Sequence, residues 1–140
     1  MIEGFRFLAE YFSPAGQKAL LADVLERVAR APFYRPSMPR SGKPLSVRMT
    51  NLGPLGWISD IKGYRYGALH PETGEEWPDM PQALLHLWNE VSGYDAPPEA
   101  CLVNRYETDS RLGLHIDGDE SAKDAPVVSV SLGDRALFRL

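Results

Sequence analysis

Turn-forming residues are spread along the whole chain, which has 12 glycines and 12 prolines among its 140 residues. Both residue types end regular elements, because glycine favours turn conformations and proline cannot continue a helix or occupy the interior of a sheet. The elements between them are therefore short. This pattern favours a mainly β or mixed α+β fold over a helical bundle. An apolar fraction of 44% is enough for a packed core, and the length suits a single domain covering residues 1–140.

Two segments show the three- and four-residue apolar spacing of an amphipathic helix. The first begins at Ser13-Pro14, where serine can cap and proline suits the first turn, and it ends before Pro32. We expect this helix to pack as a scaffold on one face of a sheet. The second covers residues 81–92 and is followed by a glycine. Residues 1–12 are apolar without a clear period, which predicts a short strand or a packed N-terminal arm.

Alternating or β-branched runs predict several strands. They cover residues 45–50, 100–106, 112–117, 127–132 and 136–138, and Asn51 is expected to open a turn after the first of them. Residues 36–80 contain two loops rich in proline, serine and glycine. Such a long loop-rich span in a compact domain is typical of a lid or binding loop.

The most informative short pattern is His115-x-Asp117. Residues two apart in a strand point to the same face, so this imidazole and this carboxylate project together. They form half of a metal site, and they are two of the three protein ligands of the facial triad of non-haem Fe(II) oxygenases. A surface histidine beside a solvated aspartate explains the tripeptide equally well when it is considered alone.

The positive charges are concentrated in one part of the chain. Residues 35–65 hold six basic side chains and one acidic one, a local charge of +5, whereas residues 66–140 have a local charge of −9. Tryptophans and tyrosines lie among these basic residues, a combination that suits stacking on a base beside a phosphate. Ordinary core packing of Trp57, Tyr64 and Trp77 is the alternative.

Several features indicate the cytoplasm. Cys101 is the single cysteine, so no disulfide can form within the chain, and its apolar neighbours predict a buried, inert thiol. The sequence has no run of about 18 apolar residues and no signal-peptide pattern at its start. We expect a monomer without membrane contact.

A second pattern precedes the histidine and aspartate by a short turn. In a strand, Asn104 and Tyr106 share a face, where an amide and a phenol offer donors suited to a carboxylate lying beside a metal. An N-x-Y pattern followed by H-x-D and then by a valine- and serine-rich strand is much more specific than any of its parts.

These motifs, taken together, resemble those of AlkB, the iron- and 2-oxoglutarate-dependent dioxygenase that repairs alkylated DNA and RNA bases. The resemblance covers roughly the last two-thirds of the chain. It is carried by residues 49–53, 55–57, 63–66, 77–81, 101–106, 114–120 and 125–133. It implies a double-stranded β-helix (jelly roll), incomplete at its C-terminus, with supporting helices and an N-terminal nucleotide-recognition lid. On this basis residues 1–35 are the arm and first helix, 36–80 the lid, and 81–140 the first part of the catalytic β-helix.

The resemblance also implies the cofactors and their ligands. His115 and Asp117 match two Fe(II) ligands, and Asn104 and Tyr106 match contacts to 2-oxoglutarate. The implied reaction uses O2 to hydroxylate an N-alkyl carbon. The hydroxylated adduct then breaks down to an aldehyde and the repaired base. Succinate and carbon dioxide are the other products.

Three more residues match positions that recognise the substrate. Trp57 resembles the aromatic that stacks on the flipped base, Tyr64 a lid tyrosine near a backbone phosphate, and Asp119 the acid that faces the damaged base. The base must be flipped because its reactive atom cannot be reached inside a stacked duplex. The implied partner is single- or double-stranded alkylated DNA or RNA.

The chain departs from the family pattern in two respects. The pattern requires a second histidine ligand and a 2-oxoglutarate-binding arginine downstream, and neither has a counterpart among these residues. His70 and His86 precede the H-x-D motif, and the arginines at 135 and 139 occur too early. We therefore expect the sequence to represent the N-terminal part of a longer protein and to be inactive by itself.

Two other interpretations remain open at this point. One is a non-catalytic nucleotide-binding module that uses only the basic, aromatic lid. The other is a divalent-cation site built from Asp117, Asp119 and Glu120, although an EF-hand-like loop is disfavoured because Ala122 stands where a glycine is needed.

Overall fold

The computed structural model describes residues 3–113 and 124–139. Their elements follow the order α1 (Pro14–Val28), β1 (Arg48–Leu52), β2 (Gly56–Asp60), β3 (Gly63–Gly67), α2 (Gln82–Val91) and β4 (Cys101–Arg105). The strands form two antiparallel pairs, β1 with β4 and β2 with β3. Within the described ranges, neither helix is long and apolar enough to cross a membrane.

Both predicted helices are confirmed. At the start of α1 the Ser13 hydroxyl accepts a hydrogen bond from the Gly16 amide at 3.0 Å, and a proline occupies the first helical turn. This satisfies one of the amides that a helix N-terminus leaves without an internal partner. Helix α2 ends just before Gly93, whose φ of +64° is the left-handed conformation that closes many helices.

The scaffold role predicted for α1 is seen only in part. Leu20 is buried, but Leu21 and Leu25 are 43% and 50% exposed. The polar side of the helix makes a defined contact instead, since the Arg27 guanidinium donates to the Asp79 carbonyl at 2.7 Å. The apolar stripe of α1 is therefore only partly covered by the described residues.

Strand β1 is the central strand of the described structure. Met49 pairs with Asn104 of β4 on one edge, and its backbone exchanges hydrogen bonds of 2.7 and 2.9 Å with Tyr34 on the other. The four residues from Met49 to Leu52 are all buried. Pairing of Asn51 and Leu52 with β4 and burial on both faces carry the strand two residues past its predicted end, so the turn begins at Gly53 (φ +106°) and not at Asn51.

Strands β2 and β3 form a tight hairpin. Only Ile61 and Lys62 lie between the paired residues Asp60 and Gly63. The Lys62 amide donates to the Asp60 carboxylate at 2.9 Å, and Gly63 adopts a φ of +113° that other residues rarely tolerate. The hairpin is stabilised by its own turn chemistry, while every residue of β3 remains at least partly exposed.

Residues 36–80 are loop-rich outside three short strands, but they also form much of the core. This segment contains β1, β2 and β3 and most of the buried side chains. Trp77 is only 6% exposed, packs in a cluster with Ala31, Tyr34 and Ile58, and donates its indole N–H to the Gly67 carbonyl at 2.9 Å. For Trp77 the core-packing alternative is therefore correct.

The N-terminal residues form an arm and not a strand. Residues 3–12 contain no strand in the structure. The Tyr11 hydroxyl donates to the Glu90 carboxylate, and the Arg6 guanidinium donates to the Val91 carbonyl at 3.3 Å. Residues 3–11 are nevertheless all exposed, so these two hydrogen bonds attach an arm to the end of α2 without packing it.

The strands predicted at 127–132 and 136–138 are not formed in the described part of the chain. Residues 124–139 contain no strand pairing there, and Leu137 and Phe138 are 83% and 71% exposed. Exposure still alternates along the run, with positions 128, 130 and 132 half-buried between exposed neighbours. Alternation predicts an extended backbone, but a strand also needs a partner edge, and the described residues provide none. The described residues as a whole form two separate two-stranded sheets and no closed jelly roll.

Candidate active site

The predicted cosubstrate residues lie together at the end of β4. Asn104 is the partner of Met49 in the ladder, and Tyr106 follows two residues later on the same face. The Asn104 amide nitrogen donates to the Tyr106 hydroxyl at 3.3 Å. The structure thus confirms that the two side chains share a face.

Asn104 is left with an unused polar atom. Its side-chain oxygen is buried and has no hydrogen-bond partner among the described residues. Such an atom costs about 1–3 kcal/mol if nothing binds it. The Tyr106 hydroxyl accepts from the amide, so its own proton is available for donation, and Tyr106 is 50% exposed. Because the N and O ends of an amide can be interchanged by rotation, either orientation leaves one Asn104 group for a ligand. A carboxylate fits this pair by accepting from the Tyr106 hydroxyl or, in the rotated orientation, from the Asn104 NH2 group.

Trp57, the predicted base-stacking residue, and Tyr64, the predicted lid tyrosine, are stacked on each other. The ring centroids of Trp57 and Tyr64 are 5.5 Å apart, with an interplanar angle of 23°. The hairpin register pairs Trp57 with Tyr66 and Ser59 with Tyr64, so the stack is a diagonal contact on one face. Tyr64 is 50% exposed. The stack therefore presents aromatic surface to solvent, as a platform for a base would require.

Asn51 has a role next to these aromatics that the sequence pattern, which predicts a turn there, does not indicate. It is fully buried in β1. Its amide nitrogen donates to the Trp57 carbonyl at 3.1 Å, and its oxygen accepts from the Trp57 backbone N–H at 3.0 Å. The available sequence signal was an amide directly after the predicted strand 45–50, six positions before a tryptophan.

The basic side chains predicted to meet phosphates are all exposed, at positions 35, 40, 43, 48, 62 and 65. One of them is paired: the Arg65 guanidinium donates to both carboxylate oxygens of Asp60, at 2.9 and 2.8 Å. This pairing, aided by the Lys62 amide, lowers the pKa of Asp60 to about 2. Arg65 is therefore already neutralised by a carboxylate.

Neither His70 nor Cys101 has the surroundings of a metal ligand. His70 is 1% exposed; its Nε2 donates to the Pro32 carbonyl at 2.9 Å, and its Nδ1 accepts from the amides of Glu72 and Thr73. Both ring nitrogens are thus occupied by the backbone. Burial raises the pKa of the Cys101 thiol to about 11, which supports the predicted inert thiol.

The predicted metal and lesion-facing residues, His115, Asp117 and Asp119, lie outside the described residues, as does Glu120. Within residues 3–113 and 124–139, no group of three histidine, cysteine, aspartate or glutamate side chains could hold a metal ion. The metal half of the site therefore remains a prediction from the sequence.

Comparison with known proteins identifies the family. The sequence profile of the 2OG-Fe(II) oxygenase superfamily matches residues 4–140. The "Alpha-ketoglutarate-dependent dioxygenase AlkB homolog" of Caulobacter vibrioides is 49% identical over 142 residues, which cover 100% of this chain and 63% of the relative. The AlkB dioxygenase of Escherichia coli is 42% identical over 124 residues, 86% of this chain and 57% of the relative.

A more distant relative has a narrower name. The "DNA N(6)-methyladenine demethylase ALKBH1C" of Arabidopsis thaliana is 33% identical over 129 residues, which cover 76% of this chain and 28% of the relative. The chain spans less than two-thirds of the length of each of these relatives. With a profile match along nearly its whole length, it belongs to the 2OG-Fe(II) oxygenase superfamily, whose members use Fe(II), 2-oxoglutarate and O2, and its matched relatives include AlkB dioxygenases.

Proposed function

We propose that this chain is part of an enzyme that removes N-alkyl groups from bases of DNA or RNA, using Fe(II), 2-oxoglutarate and O2. The observation that carries the proposal is the 49% identity to an AlkB homolog over the full length of the chain. The match includes the segments that hold the Asn104–Tyr106 pair and the Trp57–Tyr64 stack. The name of the Arabidopsis relative, a DNA demethylase, agrees with a nucleic-acid substrate.

Asn104 and Tyr106 would bind the carboxylate end of 2-oxoglutarate that lies near the metal. Their support is geometric: the two side chains share one face, and one of them has a buried polar atom without a partner among the described residues. A carboxylate only accepts hydrogen bonds, so the cosubstrate would accept from the Tyr106 hydroxyl or, with the Asn104 amide rotated, from the Asn104 NH2 group.

His115 and Asp117 would hold Fe(II), an imidazole and a carboxylate being the ligand types that this metal takes in such oxygenases. With 2-oxoglutarate and O2, bound iron supplies the oxidation that hydroxylates the N-alkyl carbon and yields succinate and carbon dioxide. The hydroxylated adduct then breaks down to an aldehyde and the unmodified base.

The Trp57–Tyr64 stack would receive the base after it has left the duplex. Its exposed aromatic surface suits stacking, which is worth about 1–3 kcal/mol per base. Asp119 would face the alkylated base and set lesion preference, and the exposed basic side chains at 35, 40, 43, 48 and 62 would contact phosphates. The predicted monomeric state and cytoplasmic location stay predictions.

The test is turnover with a defined substrate. A methylated oligonucleotide is incubated with protein, Fe(II), 2-oxoglutarate and ascorbate, and the release of succinate and formaldehyde is measured. A longer polypeptide that continues through the second histidine and the arginine of the family pattern should be active, and its His115→Ala variant should not be. We expect no turnover from the 140 residues alone, because they contain only two residues of the three-ligand set.

The outcomes distinguish a catalytic protein from one that only binds nucleotides. A folded longer polypeptide that binds oligonucleotides but does not turn over on several alkylated bases would favour the non-catalytic nucleotide-binding module. Turnover by the 140-residue chain at a comparable rate would contradict the proposed incomplete ligand set.

A further inference from the structure

The side chain of Asn51 joins the two sheets. It belongs to β1, which pairs with β4, yet its amide bonds both backbone groups of Trp57 in β2, at 3.1 Å to the carbonyl and 3.0 Å to the N–H. An amide that donates to and accepts from the same residue replaces the peptide group of a neighbouring strand. Asn51 is 0% exposed, so water cannot readily substitute for it.

The same residue is close in the ladder to the predicted cosubstrate pair. Asn51 is the partner of Leu102, and Met49, two residues earlier on the same face, is the partner of Asn104. Two residues of an antiparallel strand span about 7 Å. Asn51 therefore connects the backbone that carries the base-stacking tryptophan to the strand pair that carries Asn104.

The turn between β1 and β2 is fixed by other contacts. A Cβ at Gly56 would lie 2.3 Å from the Trp77 ring, and one at Gly53 would lie 2.5 Å from the Met80 methyl group. The Gly53 amide also donates to the Pro78 carbonyl at 2.7 Å. Removing the Asn51 amide should leave this packed turn in place and release mainly the backbone of Trp57.

We propose that Asn51 is a positioning residue that sets where the Trp57–Tyr64 stack lies relative to the cosubstrate face, and thereby where an alkylated base is held. The inference rests on the proposed function, since it assigns the stack to a nucleobase. Asn51 itself touches neither base nor cosubstrate in this role. It acts through the backbone of Trp57, so its effect on binding should depend on the Trp57 side chain.

A double-mutant cycle tests that dependence. The probe is a single-stranded DNA pentanucleotide with one N-methylated adenine, and its dissociation constant is measured for the unaltered chain, Asn51→Ala, Trp57→Ala and the double variant. We expect Asn51→Ala to weaken binding about fivefold when Trp57 is present and less than about twofold when it is replaced. Equal losses in both backgrounds would overturn the proposal.

Thr50→Val is the matched control. Thr50 is also fully buried in β1, but it points to the opposite face, where its hydroxyl donates to the Ala31 carbonyl at 2.7 Å. Its replacement removes a buried hydrogen bond without reaching Trp57, so stability should fall while affinity stays within about twofold. If Thr50→Val weakens oligonucleotide binding as much as Asn51→Ala does, the effect is general destabilisation and the proposal fails.

A second measurement does not depend on nucleic acid. The emission of Trp57 is obtained as the difference between each protein and its Trp57→Phe counterpart. Asn51→Ala should shift this difference spectrum, and Asn51→Ser, which can keep one of the two hydrogen bonds, should shift it less and serves if the alanine variant does not fold. An unaltered chain that fails to bind the probe would refute the nucleic-acid part of the proposed function. The spectrum alone would then decide whether Asn51 positions Trp57, and identical spectra would overturn that role.

Discussion

The two strand pairs of this protein differ in how they are stabilised and in what they expose. Strand β1 is buried on both faces and pairs with a strand about 50 residues away in sequence, whereas β2 and β3 are joined by a two-residue loop and β3 has no buried residue. The first pair carries the Asn104–Tyr106 face and the second carries the Trp57–Tyr64 stack. A rigid ladder thus supports the predicted cosubstrate site, and a more exposed hairpin presents the predicted base-binding surface.

Two tryptophans provide the strongest test of this difference. Trp77 lies in the core and donates to the Gly67 carbonyl, whereas Trp57 lies on the partly exposed face of the hairpin. Trp77→Ala should lower the free energy of unfolding by about 3–5 kcal/mol, since it leaves a large cavity and an unpaired carbonyl. Urea denaturation measures this. A loss from Trp57→Ala as large as that from Trp77→Ala would contradict the division into core and platform.

The second test concerns binding, where replacing Trp57 should have a larger effect than replacing Trp77. Trp57→Ala should weaken binding of a short single-stranded oligonucleotide by about 1–3 kcal/mol, the contribution of one stacked base. Affinity should also fall steeply with salt if the exposed basic side chains contact phosphates. Titrations followed by anisotropy, with Trp88→Phe in α2 as the control tryptophan, measure both. Salt-independent binding, or full affinity without the Trp57 ring, would disprove the platform.

The sequence predicted best where a pattern is local. The Ser13 cap and the proline that follows it located the start of α1, and Gly93 located the end of α2. The shared face of Asn104 and Tyr106 followed from the two-residue period of a strand. These features depend on residues within a few positions of one another.

The errors come from contacts between distant residues. Strand β1 extends to Leu52 because β4 pairs with it as far as that residue, which no local pattern reveals. From its place in the sequence, Trp77 resembles a lid aromatic. It fits into the core because Gly56 has no side chain to occupy the space of its ring. Residues 127–132 alternate as a strand does, yet the described residues offer them no partner edge. A turn was predicted at Asn51 because its two hydrogen bonds, which reach across the turn to Trp57, cannot be read from the local sequence.

A third test uses pH to examine the core side of the comparison. The Tyr34 hydroxyl is buried with no hydrogen-bond partner among the described residues, and burial raises its pKa to about 12 from the ordinary value of 10.0. A raised pKa means that the folded protein keeps this proton after the unfolded chain has lost it. The corresponding stability is therefore complete below about pH 10 and is lost as the pH rises toward 12, by at most about 1.4 kcal/mol per pH unit.

Tyr34→Phe isolates that contribution. The variant should show a flatter loss of stability across this alkaline range, and near neutral pH it should be as stable as the unaltered chain or slightly more so, because it removes an unpaired buried hydroxyl. Thermal unfolding across the pH series measures both. A large loss at neutral pH would show that the hydroxyl is hydrogen-bonded after all.

The smallest effect is expected at the exposed end of the hairpin, where Arg65 grips both oxygens of Asp60. This guanidinium, with the Lys62 amide, lowers the pKa of the Asp60 carboxyl to about 2 from 3.8. A lowered pKa means that the stability from this pair is present above about pH 4 and is lost as the pH falls toward 2. Asp60→Asn should therefore remove only an acid-dependent, salt-sensitive part of the stability, since exposed ion pairs contribute little. Carboxyl NMR titration gives the pKa directly, and Arg65→Gln, which removes the partner, should return it toward 3.8. A pKa that stays low in this variant would assign the shift to the turn amide and leave the hairpin independent of its ion pair.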